Sequence, residues 1–127
     1  MAYEIPGFKF TLVSSADLTA KQYHAVKLHT TVDQCAAIAD DADVPCGILQ
    51  DGAASGAEAE IMGNGISKMV AGTGGITLGA KVTVSAVGRG IALSAADQHV
   101  IGIALSAASE GETFSILFSC LSPNLNT

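Results

Sequence analysis

The feature that most constrains the fold of this chain is a stretch that occurs twice. Residues 100–118 read as two short apolar strands joined by a polar turn, Ser109-Glu110-Gly111-Glu112. In the second strand Phe114, Ile116 and Phe118 alternate with Thr113, Ser115 and Leu117, and this near period-two pattern places the aromatics on one buried face. A weaker copy lies at residues 44–62 and aligns without a gap. Gly47 maps to Gly102 and Gly56 to Gly111, a shift of 55 in both cases (102−47 and 111−56). The same shift maps Ala37 to Ala92, Ile38 to Leu93, Ile48 to Ile103, Ala53 to Ala108 and Ile61 to Ile116. Glycines that recur in register point to matching backbone needs, either a positive φ or a close approach of chains. The chain is therefore expected to be all-β, a single compact domain of hairpins resembling a barrel or sandwich. It is expected to be internally duplicated and to hold at most one or two short helical turns.

The 127 residues suffice for one domain with a real core. That core must be thin. Hydrophobic residues make up 49% of the chain, but 21 residues are Ala, only six are aromatic and none is Trp. A core of small residues predicts a marginally stable monomer that gains stability from neighbours.

The net charge is −6, with six Lys plus Arg. Phosphate affinity comes mainly from those two residue types, so nucleic acid is not an expected partner. Anionic lipid is disfavoured for the same reason. No run approaches the roughly 18 apolar residues that mark a membrane span, and Met1–Gly7 lacks the basic and apolar regions of a secretion signal. Synthesis and folding in a cytosol are expected. There Cys35, Cys46 and Cys120 read as reduced thiols acting as small apolar residues.

Several stretches invite a chemical reading and fail it. The cysteines form no Cys-x-x-Cys clip for zinc. Asp40, Asp41 and Asp43 have neither the glycine nor the closing glutamate of a calcium loop, which leaves a solvated acidic turn. Gly74 and Gly79 have phosphate-loop spacing, but Ala80 and Val82 stand where lysine and a hydroxyl are required. Asp51-Gly52-Ala53 lacks the order of an aspartic-protease signature. His24 and His29, on a strand expected from about Tyr23 to Thr31, fall on opposite faces and form no metal pair. No cofactor or metal is expected. An enzyme would have to join one of His24, His29 or His99 with a cysteine and the aspartate cluster, so a non-enzymatic role is the expectation. Asn64-Gly65 reads as a two-residue hairpin turn between strands ending near Met62 and starting at Ile66.

Residues 2–13 hold three of the six aromatics. After the Pro6-Gly7 turn, Phe8, Phe10 and Leu12 alternate with Lys9 and Thr11 as a strand. Two readings stay open here. The whole segment is the first strand of the fold, or residues 2–7 form an arm that docks on a partner by strand addition. The chain thus divides into an arm with the first strand (1–13), a β domain (14–121) and a polar tail (122–127).

Four stretches, Ile76–Val82, Gly90–Leu93, Val100–Leu105 and Gly111–Leu117, together with the Pro6-Gly7 opening, resemble the tailed-phage capsid decoration, or cement, proteins. The resemblance covers about residues 5–118 and is to the small, acidic, Ala/Gly-rich members. It implies a β-tulip-like fold that sits outside a mature icosahedral head, recruited to the major capsid protein shell. It implies a homo-oligomer, with a trimer favoured and a dimer known among cements. It also implies an N-terminal capsid contact, which assigns Tyr3, Ile5, Pro6, Phe8 and Phe10 as the capsid-binding residues. The rival reading is a virion surface module for host glycans or receptors. Such sites use exposed aromatics, and outside residues 3–10 only Tyr23, Phe114 and Phe118 are aromatic, the two Phe reading as buried.

Overall fold

The computed structural model describes residues 4–40, 42–94 and 99–120, with the backbone of 124–125. No helix occurs among them. The strands are β1 (Ile5–Pro6), β2 (Lys9–Ser14), β3 (Ala25–Leu28), β4 (Gln34–Ala37), β5 (Pro45–Leu49), β6 (Glu58–Met62) and β7 (Asn64–Val70). They continue as β8 (Lys81–Val84), β9 (Gly90–Ala92), β10 (His99–Val100), β11 (Gly102–Ala104), β12 (Thr113–Ser119) and β13 (Asn124–Leu125). The first half closes as a five-stranded barrel in the order β2-β4-β3-β5-β6. The second half is a six-stranded sheet, β1-β7-β12-β11-β8-β9, which curls until Ala71 meets Gly90 through a parallel bridge. β10 and β13 pair separately.

The repeat in the sequence is a repeat in space. β2, β3, β4, β5 and β6 correspond in order and pairing to β7, β8, β9, β11 and β12. Ile48 pairs with Met62 as Ile103 pairs with Leu117, each 55 residues on (48+55 and 62+55). The turns match as well. The Gly56 N–H donates to the Ser14 carbonyl at 2.9 Å, and the Gly111 N–H to that of Ala71 at 2.9 Å. The Tyr23 N–H donates to Leu49 at 2.7 Å, and the Gly79 N–H to Ala104 at 2.8 Å. Both glycine pairs have the backbone roles their recurrence demands. Gly56 and Gly111 turn the chain at φ 82° and 86° with open space around them. Gly47 and Gly102 have no positive φ. A Cβ at Gly47 would lie 2.6 Å from the Met62 carbonyl oxygen, and one at Gly102 would strike the Leu117 carbonyl oxygen and lie 2.8 Å from the Phe118 Cα.

The two halves share one interior. β5 and β6 bury side chains on both faces. Leu49 and Ile61 point into the first barrel with Leu18, Val26 and Cys35. Ile48 and Met62 join the second half, around Phe114, Ile116, Phe118, Met69 and Val82. A polar link crosses the same seam, where the buried Gln50 Nε2 donates to Ser67 Oγ at 3.1 Å and to the Ile48 carbonyl at 3.0 Å.

One turn expectation is corrected. Asn64-Gly65 is no hairpin. β6 and β7 do not pair with each other; they run on through Gly63 from the first barrel into the second sheet. β1 and β2 lie antiparallel along this path, with Ile5 opposite Ile66, Pro6 opposite Gly65, Lys9 opposite Met62 and Phe10 opposite Ile61. The residue types serve the crossing instead. Asn64 Oδ1 accepts the Phe8 N–H at 2.6 Å. Gly65 has φ 118°, and a Cβ there would lie 2.5 Å from the Gly7 nitrogen. The strand expected from Tyr23 to Thr31 shortens to Ala25–Leu28, because Tyr23 takes φ 63° and cannot extend it.

Candidate interaction surface

Register brings four aliphatic residues from four strands into one row. Ile5 pairs with Ile66, Ile66 with Leu117, and Leu117 with Ile103. Directly opposed residues share a face, with neighbouring Cβ atoms about 4.5–5.5 Å apart. Ile5 is 58% exposed, Leu117 50% and Ile103 47%, and Ile66 is half-buried among them. Lys81, opposite Ile103, ends the row on an exposed cation. Alternation explains the arrangement: Ile116 and Phe118 face the interior, so Leu117 between them must face out.

The residues assigned from sequence to partner binding separate into distinct settings. Tyr3 lies outside the described residues. Ile5 and Pro6 are exposed but not free, since β1 is bonded to the edge of β7. Phe8 is 50% exposed and stacks on Phe10, with ring centroids 5.5 Å apart and planes at 29°. Phe10 is half-buried and packs against the core of the first barrel. Ile5 and Phe8 are thus the available apolar contacts of this segment. Ile66, Ile103 and Leu117 are the members that sequence reasoning missed. Alternation alone would have found Leu117, but its neighbours in the row follow only from register.

The chemical candidates do not come together. The His24 ring is buried, with Nδ1 3.1 Å from the Gln22 carbonyl oxygen. Burial lowers its pKa, the Gln22 hydrogen bond opposes this, and Lys21 and Arg89 lower it further. His29 is exposed, and its Nδ1 accepts the Thr31 N–H at 3.1 Å. Asp43 is a structural acceptor. Its Oδ2 takes Lys27 Nζ at 2.9 Å and the Ala39 and Asp40 N–H groups at 3.0 Å, and the Lys27 bond is the main cause of its lowered pKa. Burial pushes the Cys46 and Cys120 thiols up to about 12 and raises that of Cys35. No group of three His, Cys, Asp or Glu able to hold a metal occurs among the described residues. Shallow depressions occur among the described residues. One, of about 560 Å³, is lined by Ile76, Thr77 and small residues with Glu110 and Glu112, and one of about 370 Å³ by Leu28, Val44, Pro45 and Cys46 with Lys27 and Cys120.

The molecule is thus a closed β-barrel joined to a curled sheet of the same strand plan, with an aliphatic row on the outer face of that sheet. The family model described as phage cement protein matches residues 7–119, and the chain belongs to that family of capsid-associated structural proteins. A solved structure, described as the head fiber gp8.5 N base in bacteriophage phi29, is similar in fold. It aligns with a TM-score of 0.70 and 17% identity over 89% of this chain and 94% of that one. No curated protein matches the chain.

Proposed function

We propose that this protein binds the outer surface of a mature phage head as a cement and stabilises it against the pressure of packaged DNA, without catalysing a reaction. The observation that carries the reading, beside the family, is the exposed row Ile5–Ile66–Leu117–Ile103. Burying such a row removes aliphatic surface from water; the side chains are already about half-buried, so each contributes roughly 1 kcal/mol when fully covered. Phe8 extends the apolar surface along the same N-terminal segment. Many copies on one shell multiply a modest contact, because each bridged pair of subunits makes the next separation harder. The favoured state on the shell is a homotrimer.

The test is co-sedimentation with expanded, DNA-free shells of the same phage, followed by heating of decorated and bare shells. Saturable binding near one copy per capsid subunit, with delayed rupture, is the expected result. Leu117→Glu places a charge in the row at a position outside the core, so the fold survives while shell affinity falls by roughly tenfold or more. Wild-type protein that leaves shells bare, but captures glycans on an array, would replace this reading with host recognition. A variant that binds as wild type would remove the row from the contact.

A further inference from the structure

In the duplicated plan, one strand edge is paired by β1 and its counterpart carries no described strand. Within β2, residues alternate between facing β6 and facing away. The Ser14 N–H donates to Ala57 at 2.9 Å, and the Phe8 carbonyl accepts from Gly63 at 2.8 Å, so Phe8, Phe10, Leu12 and Ser14 bond toward β6. Lys9, Thr11 and Val13 then point their backbone groups to the other side. There the Val13 N–H reaches the Asp33 carbonyl at 2.9 Å, and β4 pairs only with Val13 and Ser14. No described strand pairs with Lys9 or Thr11 on that side, and both residues are exposed.

The equivalent edge in the second half belongs to β7. Ser14 corresponds to Ala71 by their shared bonds to the paired turns, a shift of 57 (71−14). That shift places Lys9 on Ile66, and Ile66 is where β1 is bonded, antiparallel. β7 therefore accepts an extended strand at Gly65–Ile66, and the corresponding edge of β2 starts at Phe8–Lys9 with no described strand on it; the two edges differ in that Gly65 has φ 118° where Phe8 has no positive φ.

We infer that the β2 edge at Lys9–Thr11 accepts an extended segment of a capsid subunit as an added antiparallel strand. This rests on the capsid reading above and locates a main-chain contact within it. Three observations select the occupant. The edge continues directly from Ile5 and Phe8, so a strand bound here lies alongside the apolar contact. Exposed Val32, in the turn that holds Val13, offers an apolar rim. Lys9 in the slot is paired with Glu60 at 3.0 Å, so the charge that remains beside the edge is acidic, from Glu58 opposite Val13 and Asp33 at the end of the slot. A strand from a second copy of this −6 chain meets like charge, whereas a neutral or basic segment does not. Main-chain bonds supply the affinity in such additions and side chains the selection.

Thr11→Pro tests the inference. It deletes an N–H that makes no bond among the described residues, and proline is tolerated on an edge strand whose N–H faces outward. The variant is expected to melt within a few degrees of wild type and to bind shells at least tenfold more weakly, while Thr11→Val, which keeps the N–H, binds normally. Amide hydrogen exchange of the wild-type protein gives a second measure free of any folding defect. The Lys9 and Thr11 amides exchange fast in the free protein and become protected when shells are saturated. Saturated shells without that protection, or a folded Thr11→Pro that binds as wild type, overturns the slot while leaving the capsid reading intact. Wild-type protein that fails to bind shells overturns both. Protection that grows with protein concentration in the absence of shells assigns the slot to a second copy and overturns the capsid segment as occupant.

Discussion

The fold opposes the ionisation of His24. Burial, with Lys21 and Arg89 nearby, holds its folded pKa below the ordinary value, against the pull of the Gln22 carbonyl. The unfolded chain titrates near the usual histidine value of about 6.5. Below that pH the unfolded state binds a proton that the folded state refuses, so stability falls as the pH drops through about 6.5 and levels off once the folded pKa is passed. Denaturant midpoints measured from pH 7.5 to 5 should therefore decline, and His24→Gln should flatten the slope over that window. An unchanged slope in the variant would assign the decline to other groups. The acidic turn works in the opposite sense. Asp43 is held low by Lys27 and two backbone N–H groups, so its contribution is present at neutral pH and lost only in acid.

At the scale of the elements, the paired glycines give the most direct prediction. Gly102→Ala drives a methyl into the backbone of β12, which cannot move without opening the β11–β12 ladder. Gly111→Ala meets nothing within 4 Å and carries only the strain of an αL residue at φ 86°, about 1 kcal/mol. Chemical denaturation should show the first loss to be several times the second, with Gly47→Ala and Gly56→Ala repeating the contrast in the other barrel. These positions were legible in the sequence because a chain that repeats its hairpin also repeats that hairpin's backbone constraints. Two of the duplicated constraints were invisible. Tyr23 and Asp33 hold φ 63° and 64°, while their partners Gly79 and Gly88 hold 84° and 83° with the residue type that advertises it. The Asn64-Gly65 pair failed for a related reason. A glycine signals the need for an unusual φ or a close approach, but not whether the chain turns there or runs on beside another strand. The aliphatic row was only half legible, since alternation fixes the face of Leu117 but no local pattern fixes which residue lies opposite.

At the scale of the molecule, the closed barrel and the curled sheet share a strand plan, and their common interior argues against separate folding units. Ile48 and Met62 belong to strands of the first barrel and are buried in the second half, and Gln50 meets Ser67 across the seam. Isolating either half exposes the apolar side chains of Ile48 and Met62, or the surface they cover, and breaks the Gln50–Ser67 bond. Thermal unfolding should therefore appear as one transition, with the same midpoint by far-ultraviolet circular dichroism and by calorimetry. A chain truncated after Gly63 should not fold alone. Two resolved transitions, or a folded first half, would show the seam to be weaker than its burial implies.

The crossing path of β6–Gly63–β7 also sets how the molecule carries load. β1 and β2 are bonded along that path on both sides of the seam. A pull on the chain ahead of Ile5, directed along the strands, shears this run of backbone bonds and engages both barrels together. A pull directed away from the sheet peels the short β1 pairing first and leaves β2 in its barrel. The same N-terminal segment is thus stiff in one direction and releasable in the other, so the angle at which it is held decides how much tension the molecule withstands.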